Sequence, residues 1–192
     1  MLSDVTTTAQ RPTFGVRIAA LLIDYAIILG WMAALAAATL VSFAVTGEFF
    51  NWLLLGTAGA QILGFLLLVL PVGLYLYFSE SSAHQATVGK RRLRLRVVAA
   101  SDHARPSQSR VLVRTIVKLL PWEIAHFAVW NIVGLVAAED FDFPIWLLVT
   151  VIVADILPIV YIVVVAIQKD RRGPHDLVAG TQVVRVPSRA AA

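Results

Sequence analysis

Four long apolar runs divide the chain: Val16 to Val45, Leu53 to Phe78, Pro121 to Ala138 and Phe143 to Gln168. A hydrocarbon core about 30 Å thick is crossed by about 20 apolar residues in helical form. The first run exceeds that and must tilt, kink or project, whereas the third is short and carries Glu123, His126 and Asn131. Between the second and third runs lies a polar insert, Ser82 to Lys118, where the pattern changes twice. Thr87 is placed to cap a short helix through Lys90 and Arg91, after which Leu93, Leu95 and Val97 alternate with Arg94, Arg96 and Val98 as in a half-buried strand. From Ser109 the period becomes helical, with Arg110, Arg114 and Lys118 on one face and Leu112, Ile116, Leu119 and Leu120 on another. This predicts an amphipathic helix lying at the membrane interface until Pro121 breaks it or redirects it inward.

Toward the end, Gly173, Pro174 and Gly180 bracket a helical turn, and Gln182 to Val186 alternates as a second short strand. Neither strand can stand alone, so they are expected to pair, bringing Asp176 close to the Arg91 to Arg96 cluster. Gly56, Ala60 and Gly64 recur at helical spacing and predict close packing of the second span, with the alanine-rich part of the first as partner. The expected fold is an all-α membrane protein of about four transmembrane helices, with an interfacial amphipathic helix and a small cytoplasmic two-stranded β element. It forms a single membrane domain over residues 14–186, flanked by a disordered tail at 1–13 and a flexible one at 187–192.

Composition agrees with that class: 59% of residues are hydrophobic and 15% charged, and the mean hydropathy is +0.80, outside the range of soluble domains. The first run is far longer than the core of a signal peptide, about 7 to 15 residues, and is read as a retained span. There is no cysteine, which excludes disulfides and thiolate-bound metals. Charge then sets the orientation. With four spans, all 16 Lys and Arg fall on the side of the insert and the termini, while the opposite turns hold only Glu48, Glu139, Asp140 and Asp142. The bias of Lys and Arg toward the inside makes the insert and both termini cytoplasmic. Anionic headgroups of the inner leaflet, rather than nucleic acid, are the expected partners of Lys90, Arg91, Arg92, Arg110, Arg114 and Lys118.

The candidate chemistry lies in ionisable residues within the apolar runs. Arg17 and Asp24 stand about two turns apart on one face of the first span. Asp24 is either a proton or cation site or a structural hydrogen-bond acceptor, and the residues alone leave both open. Asp155 sits at the centre of the last span, where Pro158 cannot donate to the carbonyl of Ala154. Glu123, His126 and Trp130 share a face of the third segment, where Glu123 and His126 are with Asp24 and Asp155 candidates for a proton or cation site, the alternative for Glu123 being an interfacial residue. His175 and Asp176 are adjacent, and Asp176 reads as a helix-start residue docked to basic neighbours rather than as a catalytic acid. No phosphate loop, nucleophile elbow or metal-binding histidine spacing occurs, so neither an enzyme nor a cofactor is expected.

These features together carry a resemblance. Arg17 opening the first span with Asp24 inside it, QATVGKRRLRLRVV in the insert and DRRGPHDLVAGTQVV near the end resemble the RDD family of small bacterial membrane proteins. The resemblance implies that Arg17, Asp24 and Asp176 are the family's arginine and two aspartates, and that the protein sits in a bacterial plasma membrane. The chain departs from the family pattern with Asp155 in a further span and with basic Arg92 and Arg94. Transport, including cation and proton exchange, is what the resemblance suggests as activity. Two functions follow as expectations. One is a small secondary transporter, assembled as an oligomer, with Asp24 and Asp155 alternating between protonated and ion-bound forms. The other is a membrane interaction or scaffold module whose basic insert binds lipids or a partner protein.

Overall fold

The computed structural model describes residues 11–186. Residues 1–10 of the expected first tail, and the whole of the last, lie outside the described residues. Helix α1 runs over Phe14–Thr46, α2 over Trp52–Ser81, α3 over Val88–Arg92, α4 over Gln108–Ala137, α5 over Ile145–Ile167 and α6 over Pro174–Ala179. Strand β1 is Leu95–Ala99 and β2 is Thr181–Arg185. Helices α1, α2, α4 and α5 are each long and apolar enough to cross a membrane.

Proline explains the irregularity of α2 but not a break in α4. Pro71 follows a π segment at Phe65–Val69, and having no N–H it cannot bond the carbonyl of Leu67, which instead accepts a hydrogen bond from Trp31 Nε1 at 2.9 Å. Pro121, in contrast, lies inside one continuous helix from Gln108 to Ala137. The interfacial helix and the third span are therefore a single element, and the expected break is absent. In an apolar surrounding a helix keeps its remaining intrahelical bonds, because ending it would strand several backbone groups rather than one.

The described residues divide into two compact units. The first takes the chain up to Asp24, Tyr75–Val117 and the residues from Val163 onward. At its centre β1 and β2 pair antiparallel, Leu95 opposite Arg185 and Ala99 opposite Thr181. The strands expected from alternation thus form and pair with each other. Leu95, Val97 and Val183 build a core with Ala20, flanked by Val16 and Leu93, so the first turns of α1 pack on the sheet. The free edge of β1 is closed by Gln85, whose carbonyl accepts from Val97 N at 2.7 Å and whose Nε2 donates to Val97 O at 3.0 Å.

The second unit comprises Tyr25–Leu74 and Lys118–Ile162. The small-residue face of α2 serves a different neighbour from the one expected. A Cβ on Gly64 would stand 2.5 Å from His126 Nε2 and 2.8 Å from Trp130 Nε1, so this glycine admits α4 rather than the alanines of α1. A small stripe permits close approach by any helix, and the bulk of His126 and Trp130 is what uses it here.

Candidate functional site

The first unit holds a buried lattice of charges. Arg17, in the opening turns of α1, donates through Nη2 to Asp176 Oδ2 at 3.0 Å and through Nη1 to the carbonyl of Arg171. Arg114 of α4 is almost wholly buried, donating through Nε to Glu80 Oε2 at 2.8 Å and through Nη1 to Asp176 Oδ1. Glu80, at the end of α2, also takes Lys90 Nζ on Oε1 at 2.8 Å. Asp176 is completed by Thr181 Oγ1 at 3.1 Å and by the backbone N–H of Gly173 at 3.2 Å, so that from the third position of α6 it reaches back to the N-cap residue. His175 Nε2 lies 3.5 Å from the same carboxylate.

Asp24 forms the other end of the lattice. Its Oδ1 accepts from Tyr75 Oη at 2.8 Å and Gly89 N at 2.9 Å, and its Oδ2 accepts from Thr87 Oγ1 at 2.6 Å. Thr87 is also the N-cap of α3, accepting from Lys90 N. This contact needs Gly89: a Cβ there would fall 2.1 Å from the carbonyl oxygen of Ala20. Among the described residues Arg17, Lys90 and Arg114 pair with Glu80 and Asp176, while Asp24 is held by neutral donors. Burial alone would raise the Asp176 carboxyl. Arg114, His175 and Arg17 outweigh that and hold it well below the usual carboxylate range.

The second unit contains a different arrangement. Trp130 Nε1 donates to His126 Nε2 at 2.8 Å, so Nε2 is the unprotonated nitrogen and the ring's proton sits on Nδ1. His126 Nδ1 stands 3.4 Å from Glu123 Oε2, without the alignment of a hydrogen bond, and both atoms are buried and unsatisfied. Glu123 Oε1 takes a long bond from Gln61 Nε2, 3.4 Å. The carboxylate opens on a cavity of about 450 Å³ lined by Gln61, Glu123, Ile124, Phe127, Val149, Thr150 and Val153. Within helices that can span a membrane, this is a loosely held acid 3.4 Å from an imidazole nitrogen to which it is not hydrogen-bonded.

The three residues singled out by resemblance thus lie in one buried lattice, and a sequence model of the RDD family matches residues 11–180, most of the chain. The chain belongs to the RDD family. No curated relative and no solved structure matches it. It is a multi-pass membrane protein with four apolar helices. In this RDD protein the insert motif can be read residue by residue. Gln85 closes the sheet edge, Thr87 caps α3 and binds Asp24, Gly89 allows the approach to α1, and Lys90 pairs with Glu80.

Several expectations change with this geometry. Asp176 takes its ion pairs from Arg17 and Arg114, and among the described residues no bond joins it to the Arg91 to Arg96 cluster. Arg114 was expected at lipid headgroups, but it is 1% exposed and bound to two carboxylates. Lys90 is likewise turned onto Glu80, while Arg91, Arg92 and Arg110 are exposed. Lys118 is half-buried. Asp155 is exposed on α5 and does not line the cavity beside Glu123. Sequence reasoning missed Glu80, Tyr75 and Thr181 as members of the lattice. Glu80 carried a usable signal, since it is an acid directly before the basic insert.

Proposed function

We propose that this RDD-family protein is a small secondary transporter that exchanges protons for a cation or solute, and that the Glu123–His126 pair is its proton site. The observation that carries the reading is the unsatisfied Glu123 Oε2 facing unsatisfied His126 Nδ1 at 3.4 Å, beside a cavity of about 450 Å³. A proton needs an acceptor whose oxygens are not already committed. Asp24 and Asp176 fail that requirement, because each of their carboxylate oxygens has a donor. Their place in the reading is to fix the ends of α1, α2 and α4 in the first unit. Taking a second proton on His126 Nε2 requires Trp130 to turn away, since two N–H groups cannot face each other. The indole is therefore the moving part coupled to proton uptake.

The same reading puts the protein in a bacterial plasma membrane with both termini and the basic insert cytoplasmic, by the bias of Lys and Arg. Arg91, Arg92 and Arg110 are the side chains available to anionic headgroups. The working form is an oligomer, since four helices enclose little space, and the protein is neither an enzyme nor dependent on a cofactor. The test is flux into proteoliposomes under an imposed pH gradient. Glu123→Gln, which keeps shape and loses the charge, should reduce pH-driven flux to the level of empty vesicles while the variant inserts and elutes like wild type. Unchanged flux in that variant rejects the proton site. The scaffold reading draws on the full commitment of the family's own aspartates to structural bonds. Absence of flux in well-folded wild type under every cation gradient would favour it.

A further inference from the structure

Helix α5 carries a pattern that the cavity does not use. Ile145, Leu148, Ile152, Asp155, Ile159 and Ile162 recur at alternating steps of three and four residues and all are exposed in the folded chain; a neighbouring row from Trp146 to Val163 is exposed too, and Asp155 is what sets the first row apart. This is the spacing of the two inward positions of a heptad, which forms a seam along one side of a helix. The cavity-lining residues of α5, Val149, Thr150 and Val153, lie off that seam. Asp155 has no hydrogen-bond or ion-pair partner among the described residues. Val151, Ile152, Pro158 and Ile159, its neighbours one turn away, have no side-chain polar group to offer it. Unlike lysine or arginine, aspartate is too short to reach the headgroups from the middle of a span.

We infer that this seam is covered by α5 of a second copy of the chain, with the two Asp155 carboxyls meeting across a twofold axis normal to the bilayer. The inference rests on the reading that the protein works as an oligomer, and it names the interface. Two copies inserted with the same topology run their α5 helices parallel, so twofold symmetry brings each seam residue opposite its own counterpart at the same depth. A protonated carboxyl is self-complementary there, because its O–H donates to the partner's carbonyl oxygen while its own carbonyl oxygen accepts. Lipid tails are as apolar as isoleucine, so the isoleucines contribute shape and close packing while the polar pair supplies the specific attraction. One polar residue in an otherwise aliphatic seam is also the device that fixes register and copy number between paired helices.

The native chain has no cysteine, so single cysteines report proximity cleanly. Ile152→Cys and Ile159→Cys lie on the seam, and Val160→Cys is exposed but off it. In full-length protein diluted into lipid vesicles, oxidative cross-linking should join copies through the seam cysteines and not through Val160→Cys. Single-molecule photobleaching in the same vesicles should show two copies per spot, with dimer affinity lowered about tenfold in Asp155→Leu and retained in Asp155→Asn, which keeps a donor and an acceptor. Equal cross-linking at all three positions signals random collision and overturns the inference. A stable dimer without seam cross-links, or one indifferent to Asp155→Leu, overturns the interface and leaves the oligomer reading standing. Single copies under all conditions overturn both.

Discussion

At the scale of single residues the protein separates two uses of an acid in an apolar chain. Asp24 and Asp176 are saturated with donors, while Glu123 is held by one long bond and leaves its second oxygen unsatisfied 3.4 Å from His126 Nδ1. Removing Arg114 takes away the cation that Glu80 and Asp176 share and leaves them to Lys90 and Arg17, so Arg114→Met should cost about 3 kcal/mol, the lower end for a broken buried pair, measured by denaturant titration in detergent. Gly89→Ala drives a methyl into the backbone of Ala20 and should cost about 1–3 kcal/mol by overpacking. Asp176 gives a pH prediction whose sign follows from its depressed titration. A group lowered by folding contributes its full stability above the unfolded value, about 3.9, and loses it as pH falls through the folded value. In a His175→Gln background, which removes the other titrating group 3.5 Å from this carboxylate, the melting difference between Asp176 and Asp176→Asn should therefore be constant from pH 8 to about pH 5 and shrink only below about pH 4. A difference that shrinks near neutrality would show that Asp176 is not held by Arg114 and Arg17.

At the scale of elements, what could be read from the chain was whatever depends on local period and length. The four apolar runs, the short capped helix after Thr87 and the two alternating strands all formed, because burial on one face and the span of a bilayer act over neighbouring residues. What could not be read was which long-range partner a residue chooses. Arg110, Arg114 and Lys118 share one helical spacing, yet Arg114 turns to Glu80 and Asp176, which lie far away in the chain. The same spacing suits a lipid-facing stripe, and only the fold decides. Pro121 misled for another reason, since the penalty for an interior proline is smaller than that of opening a helix where no water can satisfy the backbone. Pro71 supplies a test of this bookkeeping. Trp31 donates to the carbonyl of Leu67, four residues before Pro71, so Trp31→Phe should cost about 1–3 kcal/mol. In a Pro71→Ala background, where residue 71 regains its N–H, the loss should be clearly smaller. Equal losses in the two backgrounds would show that the indole matters for packing and not for that carbonyl.

At the scale of the whole molecule, orientation and final contacts are separate questions. Arg17, Lys90 and Arg114 end in the buried lattice and cannot serve as headgroup contacts. They still act on topology, because Lys and Arg near the span ends bias insertion according to their number and position as the spans enter the bilayer. In the proposed arrangement of four crossings all 16 basic residues weigh on one side, against Glu48, Glu139, Asp140 and Asp142 on the other. Ser109, Glu48 and Ala138 are exposed and suit single-cysteine labelling, whereas Gly47 has φ +78°, which a cysteine would adopt only with strain. In intact cells a membrane-impermeant maleimide should label Glu48→Cys and Ala138→Cys, and should reach Ser109→Cys only after the membrane is opened. Labelling of Ser109→Cys alone in sealed cells would reverse the proposed orientation. Labelling at Glu48→Cys but not Ala138→Cys would instead mean that α4 and α5 do not form a pair of crossings, and the Glu123–His126 site would then lie outside the membrane, where an acid beside an imidazole needs no transport role to explain it.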